Sequence, residues 1–297
     1  MVENEKKIIL LVGRTGGGKS TLANVLSGKE NLAKESENST SMTRGIQEID
    51  FEHKGETYQI DTYRIIDSVG IGDTTRTQSE VLAEIVNWYK GVERRKIKQV
   101  LFVVGERLTP EEVNTYNMLK DVFFDADFSK YTTIVRTRFA SFEDENECKR
   151  DRELLLAENN PAITAMLNSN NGFIHVDNPP IHIVGSGRRI ERQIALNKEV
   201  REVSREKLLE HLQENCQGSY ELKSWKEVEK SFKIKLEEEN KKFKEEIKNI
   251  KENMNKDNKL ESEEKIRKLE EKIKNNEKLI KKDLLNHLVE VANCQIL

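Results

Sequence analysis

The residues with the most obvious chemistry lie near the start of the chain. Gly13-Arg14-Thr15-Gly16-Gly17-Gly18-Lys19-Ser20-Thr21 satisfies the pattern G-x-x-x-x-G-K-[ST]. In that pattern the glycines let successive main-chain N–H groups turn inward around a phosphate, where a Cβ would obstruct. A helix starting at its end adds the partial positive charge of an N-terminus. Lys19 can reach β- and γ-phosphates and stabilise charge as it develops, and the Ser20 hydroxyl is a hard oxygen ligand for Mg2+. Gly13, Gly16, Gly17, Gly18, Lys19, Ser20 and Thr21 are the expected phosphate-binding residues.

A second constellation follows at Asp67-Ser68-Val69-Gly70, a D-x-x-G at the end of an apolar run. Such an aspartate holds Mg2+, usually through water, and the Gly70 N–H can bond a γ-phosphate. Between the two motifs, residues 35–44 are polar and include Thr40 and Thr43, either able to place a hydroxyl on the cation. Thr43 is preferred because it directly precedes the next strand. The expected metal set is Ser20, Thr43 and Asp67.

These motifs need rigid elements to hold them. Lys7–Val12 is a nearly continuous apolar run, as in a strand buried on both faces of a parallel sheet, and Leu22–Leu26 has helical spacing. Strands are predicted over 45–51 and 56–66, turning around His53-Lys54-Gly55, then over 98–104, 131–136 and 173–176. Helical segments fall at 78–91, from Pro110 to Phe124 behind a Thr109 cap, and over 145–168 with a break near Asn160-Pro161. This alternation predicts an α/β fold: a three-layer P-loop NTPase domain with a mostly parallel sheet.

Composition divides the chain. Apolar residues are only 36% of the 297, against about 45–50% in compact domains. Fourteen of the 15 glycines and all four prolines precede Arg188. The reading is a domain over 1–215 and a helical extension over 216–297. From Val200 the pattern is helical. Leu208, Leu209 and Leu212 form a patch expected to pack on the domain, and Cys216–Tyr220 looks like a break. Beyond it, Trp225, Val228, Phe232 and Leu236 open a narrow apolar seam that resumes at Ile266, Leu269 and Ile273. The Asn-rich stretch between favours an antiparallel hairpin over one long coiled coil. A helical partner or docking on the domain would cover the seam.

Several classes are excluded or disfavoured. No apolar run approaches the about 18 residues of a membrane span. The acidic start does not resemble a signal peptide, and Cys148, Cys216 and Cys294 have neither disulfide-framework nor zinc spacing. A cytoplasmic, reducing compartment is expected. A net charge of −3 over 50 basic and 53 acidic residues gives no general attraction to nucleic acid. The last four residues, Cys294-Gln295-Ile296-Leu297, fit a prenylation pattern, but no basic cluster adjoins them and an unmodified cysteine is the expectation. Asn38-Ser39-Thr40 fits a glycosylation triplet but lies in the polar stretch between the two phosphate motifs and is discounted.

The segment Leu101-Phe102-Val103-Val104-Gly105-Glu106-Arg107-Leu108-Thr109-Pro110-Glu111-Glu112, with the two phosphate motifs, resembles the IMAP/AIG-type GTPases, a septin-like group. The similarity covers about residues 6–215. It implies GTP or GDP as ligand with Mg2+, and homodimers formed through the nucleotide face. By this resemblance Arg107 is the candidate catalytic arginine acting on the partner's phosphates; a surface arginine capping the next loop is the alternative. Thr137-Arg138-Phe139-Ala140 stands where the family has its guanine motif, so Thr137 and Arg138 are expected at the nucleotide while Ala140 replaces the base-reading aspartate. Asp144 is four residues late, and His175-Val176-Asp177-Asn178 could supply a base contact instead. Ile71 fills the place of a water-orienting glutamine, so turnover should be slow unless Asp73 or a partner subunit places the water. The expectation is a guanine-nucleotide switch with slow, dimerisation-dependent hydrolysis. Beside it stand a scaffold that hardly turns over and an NTPase with relaxed base choice.

Overall fold

The computed structural model describes residues 6–30, 46–54, 60–68, 70, 81, 83–85, 88, 96–105, 108–122, 126–158, 160–216, 218–221, 223–254 and 259–281. Strand β1 (Lys7–Gly13) divides the core. Its even residues Ile8, Leu10 and Val12 enter one apolar cluster and its odd residues Ile9 and Leu11 the other. This is the period-2 alternation of a strand with both faces covered. Strand β2 (Gln47–Lys54) pairs antiparallel with β3 (Ile60–Asp67). Strands β3 and β4 (Lys96–Val104) flank β1, both parallel to it. Strands β5 (Thr132–Arg136) and β6 (Gly172–His175) extend the parallel part, giving the order β2-β3-β1-β4-β5-β6.

Helix α1 (Lys19–Ser27) covers one face with Leu22 and Leu26. On the other face lie α2 (Pro110–Val122), with Tyr116 and Leu119, and Phe128 of a 3-10 turn at Ala126–Tyr131. Helices α3 (Glu145–Ala157) and α4 (Pro161–Ser169) have the predicted break between them. It arises because Asn160 caps α4, accepting bonds from the Ala162 and Ile163 amides, with Pro161 in the first turn. The α/β three-layer architecture with a mostly parallel sheet is thus as read from the sequence.

Differences are local. Strand β2 continues through His53 and Lys54, which the sequence reading gave to a turn. Helix α5 runs over Arg188–Glu214, starting 12 residues before the expected Val200. Leu208, Leu209 and Leu212 are buried against α1's face of the sheet. The expected break at 216–220 contains a two-residue strand, β7 (Tyr220–Glu221), paired antiparallel with Lys96 and Ile97 of β4. The helix predicted over 78–91 is described only at 81, 83–85 and 88, which are helical.

The C-terminal helices form an antiparallel hairpin. Helix α6 (Trp225–Asn253) begins with a capping box of Ser224 and Glu227, and α7 (Lys259–Lys281) returns along it. Lys265 meets Glu246, and Asn276 bonds Glu239 and Asn240. Val228, Phe232 and Leu236 sit in the same cluster as β1 and β4, so the first half of α6 belongs to the sheet's core. Each such side chain contributes about 1.5–3 kcal/mol. Among the described residues no helix is long and apolar enough to cross a membrane.

Candidate nucleotide site

The turn between β1 and α1 sits at the carboxyl end of the sheet, where the chain leaves β1 for opposite sides in building β3 and β4. This is the crevice position where open α/β sheets bind ligands. Gly18 ends the turn at φ +92° and precedes the first helical residue, a conformation other residues adopt at a cost. Lys19 is buried, and its ammonium donates to the carbonyls of Gly13 at 3.1 Å and Arg14 at 3.0 Å, spanning the loop. Burial brings its pKa down to about 8, against the opposing charges of Asp67 and Glu112. A polyphosphate in the turn would offer this ammonium stronger acceptors than the two neutral carbonyls it bonds.

Asp67, at the end of β3, is fully buried. Its Oδ2 accepts a bond from the Ser20 hydroxyl at 2.7 Å, while Oδ1 is buried with no hydrogen-bond partner. Burial pushes its carboxyl up, with Lys19 and the Ser20 bond opposing. An orphaned buried carboxylate oxygen beside a hydroxyl is a hard donor set. It suits a divalent cation whose remaining positions go to phosphate and water. Gly70 lies so close to Thr15 that a Cβ there would fall 2.3 Å from its Oγ1, an atom also buried without a partner. The two motifs are therefore in contact. Thr21 is partly exposed in the first turn of α1.

The turn is braced by the residues after β5. The Thr137 hydroxyl donates to Gly17 O at 2.8 Å, and its amide bonds Val104 O. Arg138, at φ +57°, donates to Gly16 O at 2.8 Å. Both expected residues reach the loop, and what they grip is its main chain. Ala140 is exposed. Asp144 caps α3, its Oδ1 accepting from the Asn146 and Glu147 amides. The Asn178 side chain, by contrast, has both amide atoms buried without partners.

Sequence reading missed two supports. Glu112 is 3% exposed and accepts from the Thr109 amide at 2.8 Å, closing a capping box at the start of α2 while its charge bears on Lys19. The T-x-x-E spacing signalled the cap but not the proximity to Lys19. Arg136 donates to Gly105 O and pairs with Asp151 at 3.3 Å, which also holds buried His175 at 2.8 Å. Those three residues lie far apart in sequence; of them the sequence singles out only His175, in the candidate base-contact segment, and its ring bonds Asp151. Thr43, Arg107, Ile71, Asp73 and Cys294 lie outside the described residues.

Residues 7–259 match the AIG1 family, most of the chain. The chain belongs to the AIG1 family. Among curated proteins it is similar to Immune-associated nucleotide-binding protein 3 of Arabidopsis thaliana, 32% identical over 146 residues, which is 49% of this chain and 42% of that protein. The chain thus spans less than half the length of that curated relative. Among solved structures it is similar to Toc33 from Arabidopsis thaliana in complex with GDP and Mg2+, with a TM-score of 0.42 and 17% identity over 68% of this chain and 86% of that one. It is also similar to an Era variant from Aquifex aeolicus bound to GDP and AlF4−, with a TM-score of 0.40 and 13% identity over 66% and 56%. The matched span includes both the turn at 13–21 and the D-x-x-G at 67–70.

Proposed function

We propose that this protein is a Mg2+-dependent guanine-nucleotide switch with slow hydrolysis. The observation that carries the reading is the cluster of buried Lys19, part-buried Ser20 and buried Asp67, in which the ammonium bonds only the loop carbonyls of Gly13 and Arg14 and one carboxylate oxygen has no hydrogen-bond partner. Ser20 and Asp67 would hold the cation, with Thr43 joining them when the triphosphate is bound; the cation would neutralise phosphate charge. Gly13, Gly16, Gly17, Gly18, Lys19, Ser20, Thr21 and Gly70 would bind the phosphates. Thr137 and Arg138 would fix the loop and the base side. The unpaired Asn178 amide supports a base contact from the segment after β6, in place of the one Ala140 cannot make. Pairing of two copies through the nucleotide face, with Arg107 reaching the partner's phosphates, would stabilise the developing charge and so offset the loss of the water-orienting side chain that Ile71 replaces.

Competition of GTP and ATP for one fluorescent analogue tests the base choice; GTP is expected to compete better, and equal competition would favour relaxed specificity. Single-turnover phosphate release at rising protein concentration tests the dimer. A rate constant that climbs with concentration supports it, and a flat one returns the protein to a slow switch or a scaffold.

A further inference from the structure

Helix α5 carries a polar stripe on the face that should be apolar. Asn197, Arg201 and Ser204 are each no more than 7% exposed, spaced four and three residues apart, one turn before buried Leu208. All three point at one target. The Ser204 hydroxyl donates to Asp177 O at 2.6 Å and accepts from the Asp177 amide at 3.1 Å. Arg201 Nε donates to Pro179 O at 2.7 Å, and the Asn197 amide to Pro180 O at 2.6 Å. Gln193 in turn donates to Asn197 Oδ1 at 2.8 Å. Two prolines in a row offer no N–H, so their carbonyls are their only main-chain bonding groups, and α5 takes both. The segment so held contains Asn178, whose amide is buried and unpartnered. One turn further on, Lys207 donates to Phe142 O at 2.6 Å, so the same helix also grips the loop after β5.

We propose that Asn197, Arg201 and Ser204 are positioning residues that set the base selectivity of the nucleotide pocket by fixing the 177–180 main chain; this rests on the reading of that segment as the base-reading one. The chemistry explains why positioning should matter. A free amide can turn over and satisfy the hydrogen-bonding edge of either purine. Selectivity then depends on holding the main chain around it in one place, so that the wrong edge leaves a buried group unpaired. Four side-chain bonds to the main chain of residues 177, 179 and 180 provide that rigidity, and they take up part of the helix face that would otherwise be apolar.

The test measures three dissociation constants in Mg2+ buffer: for GTP, for ATP and for inorganic tripolyphosphate, which has no base. In the Asn197→Ala/Ser204→Ala double variant, the preference for GTP over ATP is expected to fall about tenfold while tripolyphosphate binding changes less than about twofold. Ser204→Thr, which keeps the hydroxyl, should retain the preference. Should the double variant not fold, Asn197→Ala alone carries the same expectation at about threefold. Loss of affinity for all three ligands together would mean a merely structural role and overturn the proposal. So would an unchanged preference alongside its collapse in Asn178→Ala, which would leave the base reading intact. If Asn178→Ala changes nothing while the stripe variants lose preference, the role of Asn178 falls and that of the stripe stands. A wild-type protein with no preference would overturn both.

Discussion

The two ends of the sheet bury polar groups in different ways. At the amino-terminal end, Gln99 and His211 lie on either side of the Thr133 hydroxyl at 2.7 Å each, and His211 continues to Asn215 at 3.3 Å. No member of that chain carries an obligatory charge. At the carboxyl end the buried groups are an ammonium and carboxylates: Lys19, Asp67 and Glu112. There Asp67 Oδ1, Thr15 Oγ1 and both amide atoms of Asn178 have no partner. Among the described residues, the Gln99–Thr133–His211 chain is paired, while several polar atoms at the carboxyl end lack hydrogen-bond partners. A group buried unpaired costs about 1–3 kcal/mol, so several at one edge support the proposal that a ligand completes them.

The largest expected effect is at Lys19. Lys19→Ala should weaken GTP binding by about a hundredfold or more, since a buried charged partner of the phosphates is lost; equilibrium titration checks it. Asp67→Asn comes next. The gain in GTP affinity on adding Mg2+ should shrink about 10–100-fold, because the carboxylate orients the cation's shell. Comparing titrations with and without Mg2+ reads this directly. At the opposite end, Thr133→Val should cost about 1–2 kcal/mol in denaturant unfolding, by stranding Gln99 and His211. Its nucleotide affinity should stay at the wild-type value, and a drop would dissolve the distinction between the two ends.

The smallest effect concerns pH. Burial lowers the pKa of both His211 and His175 below the ordinary 6.5; Asp151 opposes this for His175. The unfolded chain then binds more protons than the folded one just below pH 6.5, so stability falls as pH drops through that range and is complete above it. Thermal unfolding at stepped pH should lose midpoint below 6.5, and His211→Asn should blunt the loss.

How much of this was legible in the sequence follows from how local each cause is. The phosphate turn, the D-x-x-G strand end and the Asn160 cap are written in contiguous residues, and each lies where its pattern indicated. Strands β1 and β4 are continuous apolar runs that only a doubly covered sheet accommodates. The early start of α5 was hidden because Arg188–Gln193 are mostly charged and exposed, with no apolar period to read. Strand β7 is two residues long and exists only because β4 extends below the reach of β5, which first pairs at Val100. The α5 stripe shows helical spacing, but its partners lie 17–27 residues away and are main-chain carbonyls, which carry no side-chain signature. Whether α6 would join the core or stand apart was equally undecided by its 3-4 seam, which suits either neighbour.

Calorimetric titration of GTP into the full chain, with Mg2+ and then with the cation chelated, tests the central claim most directly. A saturable heat that weakens when Mg2+ is withdrawn is the predicted result. No heat with any purine triphosphate in Mg2+ buffer would contradict it.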